Sequence, residues 1–219
     1  MAAIPGGRFK MGERGDSVTV AAFCLDLTEV TVMAYAACAT SGSCSSDGVG
    51  TQLWNGQDLG KGACNWGVSG RENHPINCTD WGQAATYCRA QGKRLPTEEE
   101  WEWAARGGDE ARTYPWGSAE PDFQPCWSGV SKRTATCAVG SSPDGNARWG
   151  LQDMAGNVWE WTSSKYGATA RVYRGGGWYY VSPGVLRAAS RSWGAPSLRG
   201  GSIGFRCARS TLGRRILNP

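Results

Sequence analysis

Glycine interrupts this chain too often for any architecture built on long helices. There are 32 glycines in 219 residues, and each one inside a helix would cost about 1 kcal/mol relative to alanine. Twelve tryptophans supply the counterweight, as large rigid side chains that can pin ordered loops around a core. The chain therefore reads as a loop-rich fold of short elements, and a helical bundle is excluded. Its length suits one domain, residues 1–219, with a sizeable core and no repeat, linker or low-complexity tract. No stretch approaches the ~18 apolar residues of a membrane helix. The opening MAAIPGG lacks the basic and apolar regions of a signal peptide, and removal of one beforehand is compatible with this.

The clearest local signal is RLPTEEEWEWAARGG, Arg94 to Gly108. Thr97 reads as an N-cap with Glu100 three residues on, a capping box. Pro96 blocks extension backwards, acids crowd the first turn where the helix dipole favours them, and Gly107 ends the helix. Trp101, Ala104 and Ala105 then face the core, and Glu98, Glu99 and Glu100 serve the helix rather than catalysis. Asp80 caps a second helix over about 81–91, with Ala84, Ala85, Tyr87 and Cys88 inward. Residues 31–38 read as a short helix, IPGGRFKMG and VTVAAFCLDLTEVT as strands, and Ser41 to Gly70 as a long polar loop in need of a staple.

Nine cysteines in one domain point to an oxidising compartment, and so to a secreted, periplasmic or cell-surface protein. No C-x-x-C occurs and His74 is the only histidine, which argues against zinc. His74 precedes a proline and reads as a packed turn residue. Cys126 and Cys137 flank a short loop and form one candidate pair. Cys38 with Cys44, and Cys64 with Cys78, are locally feasible, leaving Cys24 free in an apolar strand.

Charge is lopsided. From Trp161 onward there are one lysine, nine arginines and no acid, although the whole chain carries only +4. These arginines can pair with acids of the first half or attract an acidic partner. They are spaced singly rather than clustered, which disfavours nucleic-acid binding.

RLPTEEEWEWAARGG, YPWG (Tyr114 to Gly117), GLQDMAGNVWEWTSS (Gly150 to Ser164) and the RGG…GFRC stretch from Arg174 to Cys207 together resemble the formylglycine-generating enzyme, or sulfatase-modifying factor, family over nearly the whole chain. The resemblance implies an α+β, C-type-lectin-like fold with few strands, and a disulfide between Cys88 and Cys207. Oxidases of the family carry a pair of copper-binding cysteines soon after R-G-G. Here that place reads Trp178, Tyr179, Tyr180, Val181, Ser182, Pro183, and no cysteine lies between Cys137 and Cys207, so no copper is expected. The sulfoxide synthases related to the family need a histidine cluster that one histidine cannot supply.

The resemblance also implies calcium on the DMAGNVWE turn. Its ligands would be the side chains of Asp153 and Glu160 and the carbonyls of Gly156 and Val158, a hard-oxygen set. The structural alternative is that Glu160 pairs with an arginine while Asn157 caps a turn. The segment after R-G-G, which in this fold lines the oxidases' substrate groove, offers Trp178, Tyr179, Tyr180, Arg187, Arg191, Trp193 and Arg199. Rigid aromatics and arginines among small polar residues are the composition of a binding face. Of these, Tyr179, Tyr180, Trp193 and Arg199 are expected to be exposed, whereas Trp178, Arg187 and Arg191, like Ile203 and Phe205, are expected to be core or buried-salt-bridge residues. The leading expectation is a non-catalytic binding module for a protein, peptide or glycan. The alternatives are a diverged enzyme of the family and a variable protein of a diversity-generating retroelement, a class that shares this domain. The sequence fixes no oligomeric state.

Overall fold

A computed structural model describes residues 1–54, 56–58, 60 and 62–211. In chain order the elements are β1 (Ala2–Ile4), β2 (Gly7–Met11), β3 (Asp16–Val20), β4 (Phe23–Leu25), α1 (Val32–Thr40), β5 (Leu53–Trp54), β6 (Gln57–Asp58), α2 (Trp81–Ala90), α3 (Glu98–Ala105), β7 (Trp159–Tyr166), β8 (Ala170–Arg174), β9 (Arg191–Gly194), β10 (Ile203–Gly204) and β11 (Ala208–Ser210). None of the described helices is long and apolar enough to cross a membrane.

The helices begin where their caps dictate. Thr97 accepts from the Glu100 amide at 3.2 Å and the Glu100 carboxylate accepts from the Thr97 amide at 2.9 Å. Asp80 and Gln83 form the same reciprocal pair on α2, and Thr31 caps α1. Such caps satisfy amide donors that have no intrahelical partner, and each contributes about 1 kcal/mol. Gly107 takes φ 68° and ends α3. The inward face of α3 is not purely apolar. Trp101, Ala104 and Ala105 are fully buried, but so is Glu102, and Glu98 and Glu100 are nearly so.

Two sheets organise the rest. Strands β1, β4 and β11 pair antiparallel and bring the two ends of the described chain together. The second sheet runs β10-β7-β8-β9, with β10 parallel to β7 and the other pairs antiparallel. Helices α1 and α2 cover it through Tyr35, Tyr87, Trp161, Tyr173 and Phe205. A second core forms where Trp101 and Trp103 of α3 meet Ile4, Phe9, Phe23 and Leu25. The tryptophans are thus anchors between thin layers, as the composition requires.

Four disulfides staple the loops: Cys38–Cys44, Cys64–Cys78, Cys88–Cys207 and Cys126–Cys137. They are the four pairings expected above, and Cys24 is the free cysteine among the described residues. This usage is that of a non-cytosolic protein. The basic C-terminal segment is partly neutralised internally. Arg174 pairs with Glu98 and Glu102, Arg191 with Glu98, Arg199 with Asp80 and Arg206 with Glu160. Arg214 and Arg215, part of the same basic end, lie outside the described residues.

Candidate functional site

The DMAGNVWE turn is the hub. Asp153, Gly156 and Asn157 have φ of 55°, 81° and 52°. Two of these are non-glycine residues in the left-handed region, which persists only where surrounding contacts over-determine it. Those contacts are present. The Asn157 amide donates to the Cys126 carbonyl at 2.8 Å, and the Asn157 side chain accepts from the Cys137 amide at 3.0 Å. The Trp178 amide donates to the Asn157 carbonyl, and the Gly156 amide to that of Gly175. A Cβ at Gly156 would lie 2.6 Å from the Cys126 carbonyl oxygen, so only glycine lets the disulfide loop approach. The turn thereby clamps the Cys126–Cys137 loop and the segment after R-G-G to one another.

Its carboxylates face inward. Glu160 is fully buried and accepts from Arg206 Nε and Nη2 at 2.7 and 2.8 Å and from Trp101 Nε1 at 2.8 Å. The structural alternative is therefore realised, with an arginine on Glu160 and Asn157 capping a loop. A third carboxylate, which sequence reasoning missed, completes the cluster. Glu29 is buried against Asp153, and neither of its oxygens has a hydrogen-bond partner. Burial first, and then the charge of Asp153, push the Glu29 carboxyl well above the usual carboxylate range. Burial also raises Asp153, against the lowering effect of the Gly140 amide and Arg206.

Three buried carboxyls thus share one guanidinium, and burial raises the proton affinity of each. Among the described residues no three His, Cys, Asp or Glu side chains are grouped so as to hold a metal ion. Such an ion would draw on carbonyls of the turn as well, as Ca²⁺ commonly does.

On the other side of the clamp lies a groove of about 370 Å³. Trp159 and Tyr173 from β7 and β8 and Ile203 from β10 floor it, Gly200 to Ser202 form one wall, and Trp178, Tyr179 and Tyr180 form the other. A Cβ at Gly177 would sit 3.1 Å from that of Ser202, so a glycine there lets the two walls close in. Trp178 is half-buried, its indole donating to the Gly201 carbonyl at 3.0 Å. Tyr179 is 47% exposed and stacks on Tyr180 at 4.2 Å. Partial burial and the adjacent Tyr180 push the Tyr179 phenol far above its ordinary range, so it stays uncharged.

A second hollow of about 240 Å³ adjoins the first and is lined by Trp193, Gly194, Ser197 and Leu198. Trp54 borders both. The β5–β6 hairpin holds it there because Leu53 and Arg199 exchange backbone hydrogen bonds at 2.9 and 3.0 Å. Trp54, 54% exposed, was hidden in what read as a polar loop. A lone tryptophan among Gly, Asn and Gln was the only signal.

The exposure pattern needs correction at four positions. Tyr179 and Trp193 are exposed as expected. Tyr180 is half-buried, edge-on to Trp159 at 5.9 Å and packed against the core. Arg199 is largely buried because it pairs with Asp80 at 3.0 Å. Arg187 and Arg191, expected inside, are exposed. Arg191 caps Glu98 at 3.2 Å from the outside, and Arg187 only approaches Glu13, at 3.9 Å. Neither lines the groove. Ile203 and Phe205 are buried. His74 is a packed turn residue bonded to Thr136 at 2.8 Å, its pKa lowered by burial and then by Arg71.

Residues 1–211 match the family of the sulfatase-modifying factor enzyme 1-like domain. Inactive C-alpha-formylglycine-generating enzyme 2 of Bos taurus is 37% identical over 158 residues, 65% of this chain and 52% of that protein. The formylglycine-generating enzyme of Streptomyces coelicolor is 35% identical over 176 residues, 64% of this chain and 54% of that protein. The chain thus spans about half the length of these curated relatives. Among solved structures, Treponema denticola variable protein 1 superposes with a TM-score of 0.72 at 21% identity, covering 96% of this chain and 95% of that one. The α+β, C-type-lectin-like fold expected from the sequence is the fold observed.

Proposed function

The chain belongs to the sulfatase-modifying factor enzyme 1-like domain family, and from that premise we propose that it is a binding module for a protein, peptide or glycan rather than an oxidase. The observation that carries this reading is the wall of the groove. Where family oxidases place copper-binding cysteines, this chain has an aromatic run, Trp178 edge-on to Tyr179 and Tyr179 stacked on Tyr180. The free cysteine among the described residues, Cys24, sits in β4 of the other sheet. Aromatic rings already braced by their neighbours bind with little further loss of side-chain freedom, as in recognition surfaces.

Calcium is the ion this reading assigns to the turn. Asp153 and Glu160 would hold it together with the carbonyls of Gly156 and Val158, Glu160 sharing its carboxylate with Arg206, and the adjacent Glu29 would lose its proton as the ion enters. Its contribution would be structural, neutralising the buried carboxylates that fix the floor of the groove. The disulfides support function outside the cytosol, as a secreted, periplasmic or cell-surface domain.

The test is a binding screen on peptide and glycan displays with the native protein and the Tyr179→Ala and Trp193→Ala variants. Both side chains are about half exposed, so the variants should keep the native melting temperature and lose the captured ligand. Unfolding of both variants, or undiminished binding, would contradict the assignment of this face.

A further inference from the structure

The chemistry of the groove narrows its occupant. Among the described residues, none that lines either hollow is charged, in a chain where 19% of residues are. The C-terminal arginines, the obvious anchors for an anion, turn elsewhere to Glu98, Asp80 and Glu160. Among the described lining residues, phosphate, sulfate, carboxylate and amine ligands would find no countercharge, and desolvating such groups unpaired is costly.

What the groove offers instead is flat aromatic surface with one face already occupied. Trp193 stacks on Tyr166 at 3.9 Å and an interplanar angle of 15°. Tyr179 stacks on Tyr180, which is braced on Trp159. Trp54 stands between the hollows. Around these rings lie neutral hydrogen-bonding groups, among them Ser202 and Gln52 in the larger hollow and Ser197 in the smaller. One donor is unspent. The indole N–H of Trp159, one of the lining residues, is buried without an acceptor.

We infer that the occupant is an uncharged oligosaccharide, with successive pyranose rings in the two hollows on either side of Trp54. This rests on the binding reading above. A pyranose has a face of C–H bonds that lies on an aromatic ring and a rim of hydroxyls that both donate and accept. It therefore matches apolar platforms set among neutral polar groups. The hollows, about 370 and 240 Å³, lie at or below the lower end of small-ligand sites, room for a ring apiece rather than for a folded partner.

The experiment titrates the native protein with maltohexaose, cellohexaose, xylohexaose and chitohexaose, with hexagalacturonate as the anionic counterpart and a capped, uncharged decapeptide library in parallel. The expected result is binding of at least one neutral hexasaccharide, unchanged when salt is raised to about 1 M. That binding should weaken at least tenfold in Trp54→Ala and in Trp193→Ala at unaltered melting temperature. Preference for hexagalacturonate, or affinity that collapses with salt, would overturn the inference. Capture of peptides but no saccharide would overturn it while leaving the binding module standing. No capture of either class would overturn both.

Discussion

Removing the Cys88–Cys207 disulfide should cost more than removing any other, and the structure says by how much. The bond joins α2 to the segment before β11, residues 119 apart in sequence, whereas Cys38–Cys44 closes a separation of 6. The loop-closure entropy that a cross-link withholds from the unfolded chain gives about 5 kcal/mol for the first and about 2.4 kcal/mol for the second at 25 °C. The local packing lost is comparable, since Cys88 and Cys207 are fully buried and Cys38 and Cys44 nearly so. The difference of about 2.5 kcal/mol therefore isolates the loop term. The assay is urea unfolding of the Cys88→Ala/Cys207→Ala and Cys38→Ala/Cys44→Ala double variants. The long-loop variant should also show the larger rise in m-value, because its released chain exposes more surface when unfolded. Its melting temperature should fall by roughly 10–20 °C. Equal losses, or a larger loss for the short loop, would refute the reasoning and mean that native strain or residual structure dominates.

Other perturbations address the buried charges and the groove. Arg174→Met removes the partner shared by Glu98 and Glu102, leaving Arg191 on one and Arg106 on the other, and should destabilise by about 1–3 kcal/mol in the same assay. Because the folded-state pKa of Glu29 is raised, the unfolded chain releases its proton first as pH rises through the ordinary carboxylate range. Calcium-free protein should therefore gain stability on acidification from neutral pH towards that range, and Glu29→Gln should flatten this dependence in melts recorded with chelator. If calcium fills the turn, adding it at about 100 times its dissociation constant should stabilise the native protein by about 2.7 kcal/mol, and Glu29→Gln should lose most of that gain. Tyr180→Ala, unlike Tyr179→Ala, should lower the melting temperature as well as binding, because Tyr180 packs on Trp159.

The parts of the fold that could be read in advance are those whose causes are local. Thr97 and Asp80 are legible as caps because a cap needs only residues three apart. The disulfide between Cys126 and Cys137, and the two others of short span, follow from proximity along the chain, while Cys88–Cys207 needed the family resemblance. Burial in the segment after R-G-G was legible at Tyr179, Trp193, Ile203 and Phe205 but not at the arginines, whose long-range partners no periodicity reports. Arg199 is inside since Asp80, the cap of α2, is there to meet it. Arg191 stays outside because Arg174 reaches Glu98 from within. Glu29 joined the turn, and Trp54 the groove, through contacts spanning more than a hundred residues, for which the sequence held no marker beyond the residue types themselves.

The claim that this family scaffold binds without oxidising is tested most directly at the oxidase reaction. The purified protein would be loaded with copper under reducing conditions and incubated with oxygen and a cysteine-containing sulfatase-motif peptide, beside an active family oxidase, and the peptide followed by mass spectrometry. The account predicts that the peptide emerges unchanged while the reference enzyme converts its own. Conversion of the cysteine to the aldehyde by this chain would contradict it.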